Sequence, residues 1–471
     1  MKGLAGFIEA VATQSVVTFA RRRMPSIARS SDGTGFLVGH DLDSFKGDIG
    51  LPVELSREDR RKHLYVLGAT GSGKTNLLLR LIDDEMKAKR AAIIIDLRGD
   101  LVDRILARLA SSGQLPKLCF IDLREDEHIA SFNPLSGSGE TYARALHLLD
   151  VIRHIAESWG VQLEETLRNC LLLLAAGGYS LLDIEALLED ESFRSEALRR
   201  CTDPHIASFF ERYNRLSPER QQAFSLPVLN KVTPLLCVPQ IRQMLEGRGG
   251  IDFKTLMDEP GQVVLIALAA HRFYGASHLL GGLIVSAVQS AAMARASIPE
   301  ESRNPVTLFI DEFETMASKN FAEIIAEGRR FGLSLVLSHQ NLSQLGGSLR
   351  QVIRNNVATQ LFFQTGSSDA GELAQDVTGL GHKETVKELL LSQGVGQAIL
   401  VRKGRPSLRV ITPESPDQCP NPANVTRLRL SALEAACSIA NAPAPKTKKT
   451  SAPSRGKEIR HEKLPKTRKT K

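Results

Sequence analysis

The chain has 471 residues, of which 42% are hydrophobic and 24% are charged, the balance of a soluble globular protein. This length exceeds what one hydrophobic core usually supports, so we expect two or more subdomains. One Trp and five Tyr are too few for a surface built on many stacked bases. The six cysteines stand far apart without any CxxC pair, which favours reduced thiols in a cytosolic protein over a disulfide or zinc framework.

The formal charge of +7 is concentrated at one end of the chain. Residues 446–471 hold 11 Lys and Arg against two Glu, a net charge of +9, so the preceding 445 residues carry −2. Pro, Lys, Thr and Ser dominate this end and cannot bury a core, so residues 442–471 are predicted to form a disordered basic tail. An electrostatic arm for DNA, RNA or acidic lipid and a simple solubilising tail both fit this composition.

Residues 1–32 are predicted to form an amphipathic helix and a linker. Glu9, Gln14 and several hydroxyl side chains interrupt the apolar stretch, whereas a membrane-spanning helix needs about 20 mostly apolar residues. Three arginines follow the apolar part, although a signal peptide would carry its charge before it. We therefore expect no membrane-spanning segment and a cytoplasmic location, with peripheral contact to a membrane or a partner through this helix as an alternative.

Strands and helices alternate between residues 33 and 135, after a small hairpin that Gly and Asp turns predict at 33–55. Strands are predicted at 64–67, 91–96 and 118–121, and helices at 56–61, 75–87 and 100–111. Such alternation is typical of a parallel α/β sheet.

Residues 136–258 lack strand-like runs, and their apolar residues recur with helical spacing, which predicts an inserted all-helical subdomain. The α/β pattern returns over 259–415, and a C-terminal helix is predicted at 416–441. In this second part strands are predicted at 262–268, 306–310, 333–337 and 357–363, with a long helix at 276–296 and a terminal hairpin.

The strongest motif is "GATGSGKT" at residues 68–75, which fits GxxxxGK[ST] and lies between a predicted strand and a predicted helix. Glycines allow main-chain N–H groups to wrap a polyphosphate, and the helix N-terminus adds its positive end. Lys74 is predicted to reach the β- and γ-phosphates of ATP, and Thr75 to bind Mg²⁺ through its hydroxyl. The predicted nucleotide-binding residues are Gly68, Ala69, Thr70, Gly71, Ser72, Gly73, Lys74, Thr75 and Asn76.

In "VTLFIDEFE", two adjacent carboxylates, Asp311 and Glu312, end an apolar strand. Carboxylates at the end of a buried strand are costly unless they are paired or bound to a cation. Beside a P-loop, Asp311 is predicted to support Mg²⁺, and Glu312 to orient or deprotonate the attacking water. The alternative is a helix N-cap followed by a first-turn acid.

The segment "IIIDLRGDL" at 93–101 gives a weaker signal, because Asp96 ends a predicted strand and Asp100 precedes a predicted helix. Ordinary loop chemistry explains both acids. A role in lining the path of the nucleotide or of DNA is the alternative.

These motifs, in this order, resemble the HerA/FtsK superfamily of hexameric P-loop motors, and most of all the TraG/TraD-type coupling proteins of type IV secretion and conjugation and the HerA-like helicases. The resemblance extends over about residues 35–415 and includes "FNPL" at 132–135 and "EGRRFGLSLVLSHQNLSQL". It implies a RecA-like P-loop NTPase of the α/β class. Its elements would be a central, mostly parallel sheet, an inserted all-α subdomain, a small N-terminal β-hairpin region and the basic tail.

The same resemblance implies roles for two residues that flank the strand at 333–337. Gln340 would be a sensor that contacts the γ-phosphate or the attacking water. Arg329 would act as an arginine finger on the nucleotide of a neighbouring subunit, with Arg330 as a weaker substitute, because a guanidinium fork suits phosphoryl oxygens. The alternative for both arginines is a solvated helix end.

We therefore predict an ATP-driven motor that moves DNA and works as a homo-oligomeric ring, a hexamer by resemblance, with type IV secretion or relaxosome proteins as partners. Glu312, Arg329, Gln340 and Lys74 would be its catalytic residues, and Thr75 and Asp311 its Mg²⁺ residues. A secretion or packaging ATPase that acts on protein is one alternative. A nucleotide-gated DNA-binding adaptor that does not turn ATP over is another.

Overall fold

The computed structural model describes residues 35–46, 49–112, 115–156, 158–247, 249–317, 321–415 and 418–441. The predicted N-terminal helix and linker at 1–32 and the predicted basic tail at 442–471 both lie entirely outside these residues.

An 11-stranded sheet forms the centre of the molecule, in the order β2-β1-β11-β10-β9-β3-β8-β7-β4-β6-β5. Its strands are β1 Phe36–Lys46, β2 Ile49–Leu55, β3 Leu64–Leu67, β4 Ala91–Asp96, β5 Lys117–Asp122, β6 Gln262–Ala267, β7 Val306–Asp311, β8 Leu333–His339, β9 Thr359–Phe362, β10 Gln397–Arg402 and β11 Leu408–Ile411. The run from β9 to β5 is parallel, and the four strands from β2 to β10 are antiparallel. The predicted mostly parallel α/β fold is confirmed.

The parallel strands are mostly apolar because both faces of the sheet are covered. Along β3, Tyr65 and Leu67 belong to the hydrophobic core on one face, and Leu64 and Val66 to the core on the other. Every residue of β8 is buried. Strands of this kind show no polar alternation, which is why continuous apolar runs predicted them.

Helices cover the two faces and join the strands. Those of the first α/β part are α1 Arg57–Arg61, α2 Lys74–Lys87 and α3 Asp100–Ser112. The segment between β5 and β6 holds α4 Thr141–Ile155, α5 Val161–Gly177, α6 Ile184–Glu189, α7 Glu191–Arg199, α8 Pro204–Asn214, α9 Pro218–Leu236, α10 Pro239–Leu245 and α11 Phe253–Asp258. The remaining helices are α12 Ala270–Phe273, α13 Gly275–Met293, α14 Phe321–Glu327, α15 Gly347–Asn356, α16 Ser367–Leu373, α17 Lys383–Ser392 and α18 Pro422–Asn441.

The N-terminal hairpin is part of the central sheet rather than a region beside it. Strand β1 pairs with β11 through His40 and Ile411, and β2 becomes the outer edge of the sheet. At the opposite edge, α18 packs on β5. There the buried carboxylate of Asp122 accepts hydrogen bonds from Arg124 and from Arg429 of α18. The C-terminal helix thus neutralises a buried charge at this edge.

One helical stretch, Gly275–Ser297, is long and apolar enough to cross a membrane by length and composition alone. Within the fold, however, 78% of its most apolar window is buried. Its apolar surface is therefore satisfied by packing in the core.

Candidate functional site

The glycine-rich loop joins β3 to α2 at the carboxyl end of the parallel strands. Gly71 and Gly73 have φ angles of 78° and 117°, in the region that glycine adopts at low cost. The loop is tied down on both sides: Ala69 N donates to Gln364 O over 2.7 Å, and Ser72 O accepts from Gly396 N over 2.9 Å. Its main chain is therefore held between α2 and the ends of β9 and β10.

Gly68 leaves no room for a side chain, because an added Cβ would lie 2.5 Å from Cβ of Phe363 and 2.8 Å from Oγ of Ser72. We expect Gly68→Ala to lower the free energy of unfolding by about 1–3 kcal/mol through overpacking, and to weaken ATP binding. Denaturant unfolding and nucleotide titration measure the two effects.

Gly371→Ala is the matched control, since nothing lies within 4 Å of its added Cβ and the residue sits inside α16. It should raise stability by about 0.4–1 kcal/mol and leave ATP binding unchanged. Equal behaviour of the two variants would contradict the steric account of the loop.

Lys74, the first residue of α2, directs its ammonium group back into the loop. Its Nζ donates to Gly68 O over 2.6 Å and to Ala69 O over 3.0 Å. Burial lowers the pKa of Lys74, and the carboxylates of Asp311 and Glu312 act in the opposite direction. The loop thus encloses a cation that faces two acidic side chains.

Asp311 and Glu312 stand at the end of β7, two strands from β3. Burial, together with the charges of Asp96 and Glu312, raises the pKa of Asp311 to about 6, although the hydroxyl of Ser338 and the charge of Lys74 act in the opposite direction. Glu312 adopts a left-handed conformation with φ of 54° and makes no capping hydrogen bond, so the N-cap alternative does not describe its side chain. The negative charges of Asp96 and Glu312 that act on Asp311 favour a cation at this end of β7.

A hydrogen-bonded chain connects the loop to the acidic pair. Oγ1 of Thr70 donates to Oε1 of Gln340 over 2.9 Å, and Nε2 of Gln340 donates to Oε1 of Glu312 over 2.8 Å. Gln340 follows β8, which lies between β3 and β7 in the sheet. Three segments far apart in the sequence therefore meet at one point.

These groups line a cleft of about 240 Å³, called here the nucleotide cleft. Its lining residues are Thr70, Gly71, Lys74, Thr75, Asp96, Leu97, Arg98, Asp100, Leu101, Asp311, Glu312 and Gln340. Among the described residues, no three His, Cys, Asp or Glu side chains form a ready metal site. Mg²⁺ that binds together with a triphosphate needs only one or two protein ligands, and Thr75 and Asp311 on the same cleft fit that requirement.

Six predicted site residues do not line this cleft: Gly68, Ala69, Ser72 and Gly73 belong to the adjoining loop, and Asn76 and Arg329 lie elsewhere. The side chain of Asn76 bonds to the main chain of the segment after β11, donating to Pro413 O over 2.9 Å and accepting from Ser415 N over 2.8 Å. Arg329 follows α14 and precedes β8, at the opposite end of the strand from Gln340. Seven residues of strand separate the two, about 23 Å at 3.3 Å per residue, so Arg329 does not reach the nucleotide cleft of its own chain.

Sequence reasoning gave Asp96 and Asp100 only an alternative role at the cleft and did not assign Arg98, and all three line it. The carboxylate of Asp96 accepts from the main-chain N–H groups of Arg98 and Val102, which shapes the turn after β4. The available signal was that polar residues after parallel strands meet at one edge of the sheet.

Glu314 was also missed. Burial raises its pKa to about 7, and its Oε2 atom has no hydrogen-bond partner among the described residues. It borders a second cleft that adjoins the nucleotide cleft.

A glycine-rich loop between a parallel strand and a helix, with an acidic pair and a glutamine at the ends of neighbouring strands, defines a P-loop NTPase fold. The sequence model of the family described as "Type IV secretion-system coupling protein DNA-binding domain" matches residues 48–135 and 251–400. The chain belongs to this family, as the resemblance of its motifs predicted.

Individual relatives are distant. The type 4 coupling protein DotL of Legionella pneumophila is 22% identical over an alignment of 405 residues, and the match covers 68% of this chain and 50% of DotL, so the chain spans about half the length of this relative. The plasmid coupling protein TrwB in complex with ADP and Mg²⁺ has a TM-score of 0.57 at 17% identity, over 82% of this chain and 97% of that one. VirB4 of Thermoanaerobacter pseudethanolicus has a TM-score of 0.55 at 16% identity, over 82% and 98%. These structures share the fold.

Proposed function

We propose that this chain is the ATP-hydrolysing motor of a type IV secretion coupling protein and that it moves DNA. The observation that carries the proposal is the chain of hydrogen bonds from Thr70 through Gln340 to Glu312. It connects the glycine-rich loop to the proposed general base, Glu312, within one cleft. The DNA-binding description of the family supports DNA as the substrate.

Four residues of the cleft have distinct tasks in hydrolysis. Lys74 exchanges its bonds to Gly68 O and Ala69 O for the β- and γ-phosphate oxygens. Thr75 and Asp311 would hold Mg²⁺, which when bound would neutralise charge on those oxygens. Glu312 takes a proton from water while the new O–P bond forms and the bond from the γ-phosphorus to the bridging oxygen breaks, releasing ADP and phosphate.

The size of the cleft supports a ring. The nucleotide cleft, at about 240 Å³, is smaller than the roughly 300–1,000 Å³ of a typical ligand pocket, so part of a bound nucleotide would extend beyond it. A second subunit that covers the rest of the nucleotide would bring its own Arg329 onto the γ-phosphate. The Arg329 side chain is 52% exposed, and its ion pair with Glu58 is a long one of 3.8 Å. A homo-oligomeric ring, by resemblance a hexamer with DNA in its channel, would both cover the nucleotide and supply Arg329 from the neighbouring subunit. Type IV secretion and relaxosome proteins are the partners this function implies.

The proposal is tested by ATP hydrolysis of the purified chain with and without single- and double-stranded DNA. We expect hydrolysis that DNA accelerates. Tight ATP binding without turnover would instead support the nucleotide-gated adaptor, and turnover that neither form of DNA changes would support a motor for protein.

A further inference from the structure

Arg98 stands in the wall between two clefts. The second cleft has a volume of about 390 Å³ and shares Leu97, Arg98, Glu312 and Gln340 with the nucleotide cleft. Its other walls come from Ala270, His271, Tyr274, His278, Glu314, Thr315 and Gln344. A group that enters the second cleft can therefore touch Arg98 without touching the nucleotide.

Arg98 forms an ion pair with Glu312, the proposed general base for hydrolysis. Its Nη2 atom lies 3.3 Å from Oε1 of Glu312, the same oxygen that accepts from Gln340. A base must offer a lone pair to the attacking water, and the hydrogen bond from Gln340 and the nearby cation of Arg98 at this oxygen compete with that water. Arg98 thus restrains the residue on which hydrolysis depends.

The restraint is a weak one. The Arg98 side chain is 61% exposed, and ion pairs of exposed guanidinium groups contribute little in water. A phosphodiester binds a guanidinium through two parallel hydrogen bonds and competes well with a single carboxylate oxygen. An anion of this kind in the second cleft would draw Arg98 away from Glu312.

The second cleft has features suited to a nucleic acid strand. Tyr274 is 79% exposed at its rim beside the exposed His271, and an aromatic ring is a surface on which a base can stack. Five described non-glycine residues have a positive φ angle. Two of them, Tyr274 and Glu312, line this cleft, and a third, Ala269, directly precedes the lining residue Ala270. Strained backbone gathers at functional sites.

We propose that Arg98 holds Glu312 in a resting position, and that a phosphate of bound DNA, entering the second cleft beside Tyr274, releases it. The inference rests on the proposed function, since it explains how DNA accelerates hydrolysis. Arg98 is then a positioning residue, which acts on the reaction through Glu312.

The test compares Arg98→Met, which keeps an unbranched apolar stem but removes the charge of the side chain, with the wild-type full chain. In the absence of DNA, kcat should rise about two- to fivefold, the factor that loss of an exposed ion pair permits, while KM for ATP stays constant. The acceleration by DNA should shrink by the same factor. Arg98→Lys should have a kcat between those of the wild type and Arg98→Met. Arg98→Met combined with Glu312→Gln should be as inactive as Glu312→Gln alone.

Arg220→Met, on an exposed position of α9, is the matched control and should change neither rate. A lower kcat or a raised KM in Arg98→Met would overturn the proposal, because Arg98 would then act on the nucleotide. An unchanged kcat in Arg98→Met would show that Arg98 does not restrain Glu312. A wild-type chain that hydrolyses no ATP would refute the proposed function and the restraint together, a result distinct from failure of the restraint in an active wild type.

Tyr274→Ala tests where the releasing phosphate enters. The variant should lose most of the acceleration by DNA. If DNA accelerates Tyr274→Ala as it does the wild type, the phosphate does not enter through the second cleft, and that half of the proposal falls.

Discussion

Replacing Glu312 with Gln is expected to reduce ATP hydrolysis about 10²–10⁴-fold, the usual contribution of a general base, while ATP binding is retained. The amide keeps the size of the side chain and an oxygen that can accept from Gln340 over a similar distance, at present 2.8 Å. It cannot take the proton of the attacking water. Phosphate release measures the first effect, and titration with a fluorescent ATP analogue measures the second.

Glu301→Gln makes the same chemical change at an exposed position and should leave both quantities unchanged. If Glu312→Gln hydrolysed ATP at the wild-type rate, another carboxylate would have to serve as the base. Glu314, which borders the same region of the site, would then be the residue to replace.

Replacing Arg329 with Ala is expected to lower hydrolysis about 10³–10⁵-fold, the factor that an arginine finger contributes. The length of β8 separates this residue from Gln340, so the loss cannot arise in the cleft of the same chain. Arg330→Ala is the matched control, because Arg330 is its chain neighbour, is 75% exposed and pairs with Glu327 over 3.6 Å. It should have a much smaller effect.

Mixing two inactive variants separates action between subunits from action within one. Arg329→Ala subunits retain Glu312, and Glu312→Gln subunits retain Arg329, so some interfaces in a mixed ring combine both intact groups. We expect the mixture to recover part of the activity. Full activity of Arg329→Ala, or no recovery on mixing, would contradict the finger assigned to Arg329.

Local patterns were enough to predict most elements of the sheet. Strands such as β4 and β8 are buried along their whole length, and only continuous apolar runs satisfy that environment. The glycine-rich loop was equally predictable, since its positive φ angles and close contacts require glycine at particular spacings. In such cases the residues that form the feature are neighbours in the chain.

The clustering of distant residues was not predictable from local patterns. Gln340 meets Thr70 across 270 positions of sequence because β8 pairs with both β3 and β7, an order that no local pattern encodes. The motif placed Asn76 at the nucleotide, but the packing of α2 turned its side chain towards Pro413.

By itself, then, the sequence determined the α/β class, the glycine-rich loop and the acidic strand end, because each depends on short-range geometry and burial. Only the tertiary structure decided that the N-terminal hairpin extends the central sheet, that Arg98 lies against Glu312 and that Arg329 stands at the end of β8 opposite its own cleft. These arrangements follow from strand order and side-chain packing, which arise when the whole chain folds.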